Sequence, residues 1–329
     1  MQKNSFLLAL ALSAFALTAS AQTITGSVTG TVADPSGAVI PNAKVTAANT
    51  GTNVQFTATT NQSGVYNILF LPVGDYTVSV ENKGFKRSVV GPFKLEVNQI
   101  ARLDVSLQVG DTGVTVEVTD VAPILQTEST ATGDTITSSN LANMMLNGRN
   151  AISLTQLVPG AISTSPNAMN TSARFMGSGS RPQVNGNREQ TNNFLLDGVD
   201  VNDSIDNRVG YQPNVDALEE VKVITGNGGG EFGNVGGGSV MMTIKSGTNQ
   251  YHGAAFDFLR NNELDANGFF NNRNKLARSA FRRNIFGGTF GGPIKKNKLF
   301  FFTDYEGTEQ RTSGAASASV APLDRKSVV

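Results

Sequence analysis

Glu231–Asn272, EFGNVGGGSVMMTIKSGTNQYHGAAFDFLRNNELDANGFFNN, changes character midway. Up to Ile244 it is glycine-rich and weakly apolar, and Ser246-Gly-Thr-Asn249 then breaks the run. From Gly253 the side chains alternate. Ala254, Phe256 and Phe258 fall on one side, and Ala255, Asp257 and Leu259 on the other, which is the period of a β-strand. A second stretch, Phe281–Arg311 (FRRNIFGGTFGGPIKKNKLFFFTDYEGTEQR), continues the pattern. Phe286 and Phe290 share a face within Asn284–Gly292, and Leu299, Phe301, Thr303 and Tyr305 oppose Phe300, Phe302 and Asp304. Alternation of this kind, with aromatics near the strand ends, is the signature of transmembrane β-strands. Three strands of a soluble sandwich would need a polar exterior and leave Phe300-Phe-Phe302 without a reason. The connection Pro293–Lys298 is short and basic, whereas Asn261–Arg283 is long and Asn-rich. Short turns belong on the periplasmic side and long loops outside.

Composition limits the remaining possibilities. The 329 residues leave room for two or three domains. Formal net charge is zero with 16% charged residues, so no nucleic-acid footprint is present. The absence of Cys excludes disulfides, thiolate metal sites, a cysteine nucleophile and a lipid-modified cysteine. Residues 1–21 read as a secretory leader: Lys3 supplies the charge, Phe6–Leu17 the apolar core, and Ala19-Ser20-Ala21 the cleavage site, leaving Gln22 first. That apolar core is too short for a transmembrane helix, which needs ~20 residues. Any insertion into a bilayer must therefore use strands.

From Gln22 to Val109 period-two alternation between turn signals predicts a small β-sandwich. In Ala101–Val109, Leu103, Val105, Leu107 and Val109 point one way, as Tyr76, Val78 and Val80 do within Asp75–Glu81. Turns are expected at Asp34–Gly37, Asn61–Gly64 and Pro72–Gly74. Next comes Asp111–Asp120, DTGVTVEVTD, where Val114, Val116 and Val118 alternate with Thr115, Glu117 and Thr119. Its spacing fits either an unpaired extended strand or a further strand or linker of the sandwich. Residues 121–246 turn to a mixed α/β pattern. Helices are expected at Asn140–Leu146 and Ala151–Val158, the latter stopped by Pro159-Gly160. Asp197-Gly198 marks a tight turn, and Asp216 with Glu219 resembles a capping box ahead of a strand at Val221–Ile224. Ala161–Arg188 is a polar loop.

No catalytic constellation is found. The glycines at 226, 228–230, 233 and 236–238 lack a following Lys-Ser/Thr, so they are no phosphate loop; they suit tight passage of the backbone beside a barrel strand. In the acidic group Asp197, Asp200, Asn202, Asp203 and Asp206, a calcium loop counted from Asp200 would place Ile205 and Tyr211 where Gly and Glu are required. A solvated turn fits better. His252, the sole histidine, has no acid to orient it and is expected at a strand end.

Three resemblances follow from these segments. GTVADPSGAVIPNAKVTAANTGT, TTNQSGVYNILFLPVGDYTVSVENKGFK and RLDVSLQVG, in order, resemble the carboxypeptidase regulatory-like domain, a transthyretin- or Ig-like β-sandwich. The zinc enzyme of that name needs two His and a Glu as ligands, so the resemblance implies a passenger or binding module without catalysis. NGRN, NREQTNNFLLDGVDV and ALEEVKVITGNGGGEFG resemble a plug domain, and the opening stretch with Phe281–Arg311 resembles the junction of plug and barrel in Oar-like TonB-dependent outer-membrane transporters. The family therefore implies a mainly β chain: signal peptide 1–21, sandwich 22–109, linker 110–120, α+β plug 121–246, and the first strands of an incomplete antiparallel barrel in 247–329. It implies that Val114, Thr115, Val116, Glu117 and Val118 form the TonB box, the extended peptide gripped by the energy-coupling protein TonB through strand addition. The implied partners are TonB, outer-membrane lipid and an unidentified solute, carbohydrate among the candidates, with no cofactor and no metal. The alternative is a secreted or cell-surface sandwich protein that binds carbohydrate or a protein partner without transport.

Overall fold

The computed structural model describes residues 25–312, apart from 112–113, 119–127, 145, 164–180, 205–206, 208, 227 and 229–235. The leader and its cleavage site, Ala21 and Gln22, lie outside the described residues. The chain divides into two compact units, residues up to Gly253 with Phe290–Thr303, and Ala254–Thr289 with the residues from Asp304 onward.

The first described residues build a sandwich of nine strands: β1 (Gly26–Ala33), β2 (Lys44–Asn49), β3 (Gln55–Thr59), β4 (Val65–Leu71), β5 (Gly74–Glu81), β6 (Arg87–Leu95), β7 (Ile100–Arg102), β8 (Val105–Ser106) and β9 (Thr115–Val118). One sheet runs β4-β1-β7, with β8 also on β1, and the other β3-β2-β5-β6-β9. Strict alternation along β1 and β5 buries Val28 and Val32 against Tyr76, Val78 and Val80. The three expected turns form. At the first, Asp34 Oδ1 accepts from the backbone N–H groups of Ser36 and Ala38, both at 2.9 Å, and Gly37 takes φ 87°. A left-handed φ of this kind is what glycine supplies in a turn.

The continuous strand expected over Ala101–Val109 is interrupted. Leu103 N–H still donates to the Thr29 carbonyl at 2.7 Å, but its own carbonyl accepts from Tyr66 Oη at 2.7 Å and the Asp104 carboxylate takes the Thr31 N–H at 2.8 Å, which breaks the ladder. Gly30 lets the Leu103 carbonyl come close, since a Cβ there would sit 1.9 Å from the oxygen. Leu103, Val105 and Leu107 point inward as expected, but Val109, in an isolated bridge with Phe85, is 73% exposed.

After the sandwich comes a second, mixed sheet of β10 (Thr132–Thr137), β13 (Asn193–Leu196), β14 (Val199–Asp200), β15 (Leu218–Gly226) and β16 (Ser239–Ile244); helix α1 (Ser138–Asn143) follows β10, and the short strands β11 (Ala161–Ile162) and β12 (Gln183–Val184) pair with each other in a sheet of their own. The order of the mixed sheet is β10-β15-β16-β13-β14, with β13 parallel to β16 and the other neighbours antiparallel. Asp197 and Gly198, both at positive φ, close the β13–β14 hairpin. The helix expected at 151–158 forms over Ala151–Leu157 as a 3-10 helix, capped by Asn150 Oδ1 accepting from Ile152 N–H at 2.9 Å. Its tighter winding buries Ile152 and Leu154 but leaves Leu157 55% exposed. The predicted capping box at Asp216 is also corrected. Asn214 caps the short turn, Asp216 pairs with the buried Arg149, and Glu219 turns away to Lys94. Of the expected polar loop, 164–180 lies outside the described residues.

The last sheet, in sequence order, is β17 (His252–Asn261), β18 (Phe281–Lys295) and β19 (Leu299–Thr312), with the short helix α2 (Phe269–Arg273) between the first two. Strand β18 passes through Pro293, so the basic turn shortens to residues 296–298. His252 opens β17 and stacks on Phe302 with ring centroids 6.4 Å apart.

Candidate functional site

Three places in the first unit carry polar contacts between segments far apart in sequence. The first is the predicted TonB-contact segment, Val114–Val118. It is not unpaired: β9 lies parallel to β6 in the register Arg87↔Thr115 to Val90↔Val118, and Arg87 N–H donates to the Val114 carbonyl at 3.0 Å. The reason lies in the backbone. The edge of β6 over Arg87–Val90 offers ladder groups, and an alternating Val/Thr segment with no proline satisfies them. Val114 and Val118 stay 49% and 43% exposed, and no β9 residue belongs to the sandwich core. β9 ends the sheet order, so its other edge carries no strand among the described residues.

The second place is the loop Glu96–Gln99, between β6 and β7, which reaches the β15 face of the second sheet. Val97 is fully buried there with Ile224 and Met241, and Val73, Ala131 and Leu195 pack around them. Both peptide groups of Val97 are held by side chains of one strand: its N–H donates to the Glu220 carboxylate, and Lys222 Nζ donates to its carbonyl at 2.7 Å. Residues two apart on a strand share a face, so Glu220 and Lys222 form two prongs around one residue. The loop is rigidly built, with Glu96 N–H donating to Gln99 Oε1 at 2.8 Å and Asn98 in the left-handed region at φ 50°. Lys94 and Glu219 pair beside it at 3.1 Å. Burial pushes the Glu220 carboxyl up to about 7 and the Lys222 ammonium down.

The third place joins three turns through asparagines. Asn53 Nδ2 and Asn249 Nδ2 both donate to Asn297 Oδ1, at 2.9 and 2.8 Å, and Asn249 N–H donates to the Gly51 carbonyl at 2.9 Å. Gly247 fits beneath: a Cβ there would stand 2.3 Å from the Phe301 carbonyl oxygen. Glycine is thus required where the chain passes into the last sheet, at a position outside the glycine group read from the sequence. Of the glycine-rich segment before it, 227 and 229–235 lie outside the described residues.

The other sequence candidates have local roles. Asp197 Oδ1 accepts from Ile244 N–H at 3.0 Å, and burial raises its carboxyl above the ordinary range. Asp200 Oδ1 accepts from Asn202 N–H at 2.8 Å inside the turn, while Ile205 and Asp206 lie outside the described residues. Among the described residues no group of three or more His, Cys, Asp or Glu is placed to hold a metal ion. The Val97 clasp went unread in the sequence. Its one signal is a Glu and a Lys two apart, at 220 and 222, flanking Val221 and followed by Val223 and Ile224.

Comparison with known proteins gives the class first. Residues 27–108 match the carboxypeptidase regulatory-like domain, and residues 243–327 match an outer membrane beta barrel domain. The chain is thus mainly β, a regulatory-like sandwich followed by barrel strands, with a mixed sheet between them. It is homologous, more particularly, to the TonB-dependent transporter Oar of Myxococcus xanthus, with 27% identity over 285 residues. That alignment takes in 80% of this chain and 25% of the relative, so the chain spans about a quarter of that protein's length. Among solved structures, the siderophore receptor PirA of Acinetobacter baumannii aligns at 19% identity over 55% of this chain and 24% of its own, with a TM-score of 0.40. The outer membrane transporter YddB of Escherichia coli aligns at 17% over 54% of this chain and 26% of its own, with a TM-score of 0.42.

Proposed function

We propose that this chain supplies the sandwich, plug and first barrel strands of a TonB-dependent outer-membrane transporter. The observation that carries the reading is homology to such a transporter across 80% of the chain. In this reading residues 22–109 form a periplasmic module, 110–120 the coupling segment, 121–246 the plug, and 247–329 the start of the wall. A leader ending at Ala21 exports it. The solute is unidentified, and the role is transport, not catalysis.

TonB would engage Val114, Thr115, Val116, Glu117 and Val118 by strand addition, which runs through backbone groups. The exposed outer edge of β9 supports this assignment. The test is Val116→Pro in a protein with its full barrel. Proline removes the N–H and fixes φ, so capture by the TonB periplasmic domain is lost, whereas Val116→Ala retains it. Unchanged capture of the proline variant would reduce the segment to a linker.

A further inference from the structure

Glu220 is fully buried in the centre of a sheet, yet its carboxylate has a single hydrogen bond. Oε1 accepts from Val97 N–H, and Oε2 has no donor among the described residues. Among the described residues no basic group forms an ion pair with it: Lys222 Nζ is turned to the Val97 carbonyl and Lys94 pairs with Glu219. Its ladder neighbours, Thr137 on β10 and Thr243 on β16, are uncharged. The nearby charged groups are Glu96 on the loop itself, Lys94 on β6, Glu219 and Lys222 on β15, and Asp134 on β10. A buried carboxylate this poorly solvated is costly in its ionised form. Lifting the loop would uncover Glu220 and return it to water.

We propose that the Val97 clasp is a proton-linked latch between the sandwich and the plug sheet: Glu220 takes up a proton when the loop seats and releases it when the loop lifts. A polar cavity of about 180 Å³, lined by Glu96, Asn98, Asp134 and Lys222, lies against the Lys222 prong and is large enough to hold water on that side of the clasp. The direction follows from linkage. The seated carboxyl titrates near 7, and once uncovered it returns to the ordinary range near 4.5. The seated state therefore binds the extra proton, and seating is strongest below the lower value. It weakens as pH rises toward the upper one and is level beyond it. Lys222 Nζ, on the Val97 carbonyl, is the second prong of the seated state. The latch is a property of these two segments and does not depend on the transport reading.

The test is hydrogen–deuterium exchange of the Val97 amide in the full chain at pH 5.5, 6.5 and 8, each rate divided by the unstructured rate at that pH. Protection is expected to fall roughly thirtyfold from pH 5.5 to 8, mostly below pH 7. The amide of Val78, deep in the sandwich, stays level. Glu220→Gln keeps an acceptor for the Val97 N–H but has no proton to exchange, so its protection is level from pH 5.5 to 8. Level protection of Val97 in the unaltered chain overturns the latch, and so does an equal fall in Glu220→Gln. If that variant loses protection at Val78 as well, it is unfolded, and the series on the unaltered chain decides alone.

Discussion

Replacing Tyr66 by Phe isolates one hydroxyl in the sandwich. Tyr66 is 1% exposed, and its Oη donates to the Leu103 carbonyl at 2.7 Å, where the chain bends between β7 and β8. Phenylalanine fills the same space apart from the oxygen, so packing is kept and the carbonyl loses its donor. Leaving a buried acceptor unsatisfied costs about 1–3 kcal/mol. The same hydroxyl gives the variant a pH signature. Burial, and then the Asp104 carboxylate, push its ionisation well above the ordinary tyrosine value of 10.0. The folded state therefore holds the proton after the unfolded state has begun to release it. Tyr66 thus stabilises fully below pH 10, and its contribution falls as pH rises above that. At pH 11 the loss is about 1.4 kcal/mol. Urea unfolding of residues 22–109 is expected to show Tyr66→Phe less stable at neutral pH and nearly equal to the parent at pH 11. Tyr76 also has a raised ionisation, but it is present in both proteins and cancels in the difference. A neutral-pH difference under about 0.5 kcal/mol, below the range for a lost buried bond, would refute the argument. So would a difference that stays constant from pH 7 to 11.

Gly133→Ala places a Cβ 2.1 Å from the Val223 carbonyl oxygen; overpacking of this kind costs about 1–3 kcal/mol, and exchange of the β10 and β15 amides is expected to rise while the sandwich amides hold. Asp34→Ala removes a carboxylate that Ser36 and Ala38 hold below the ordinary range. Its stabilisation is present above that range and lost in acid, so the variant should trail the parent in urea unfolding at pH 6, with the gap narrowing as the pH falls through the carboxylate range. The exported protein should begin at Gln22 on N-terminal analysis; retention of Met1–Ala21 would revive a membrane anchor.

Legibility in the sequence followed the number of covered faces. Tyr76, Val78 and Val80 could be read because β5 has one face on the core and the other half open. β15 could be found as a strand, but not its breadth, since it runs from Leu218 to Gly226 and is buried on both faces. Period-two reasoning assigns Glu220 and Lys222 to solvent by their charge. The structure covers them with a loop more than a hundred residues earlier in the chain, and no local pattern encodes that cover. The break at Leu103 has the same origin. Its causes, Tyr66 and Gly30, lie on β4 and β1, while the residues from Ala101 to Val109 alternate without a flaw. In Ala151–Leu157 a spacing of three or four admits either helix type, and which one forms depends on Asn150 and on what Ile152 and Leu154 meet.

β9 shows the remaining gap between pattern and site. Its alternation correctly indicates an extended segment, but a strand is recognised through its backbone, and every residue except proline presents the same groups to a partner. Side-chain spacing therefore cannot say which edge it pairs with. In the structure that edge is β6, and the bond is thin: four register pairs, two exposed valines and no residue in the core. A strand held only by its ladder, without buried side chains, lies at the low-stability end of a fold. A coupling segment would need that property, because a partner that adds a strand competes for backbone groups and gains nothing from a segment locked by packing. Under the proposed function, its uniform backbone and its lack of core contacts are the features that would suit it to be grasped.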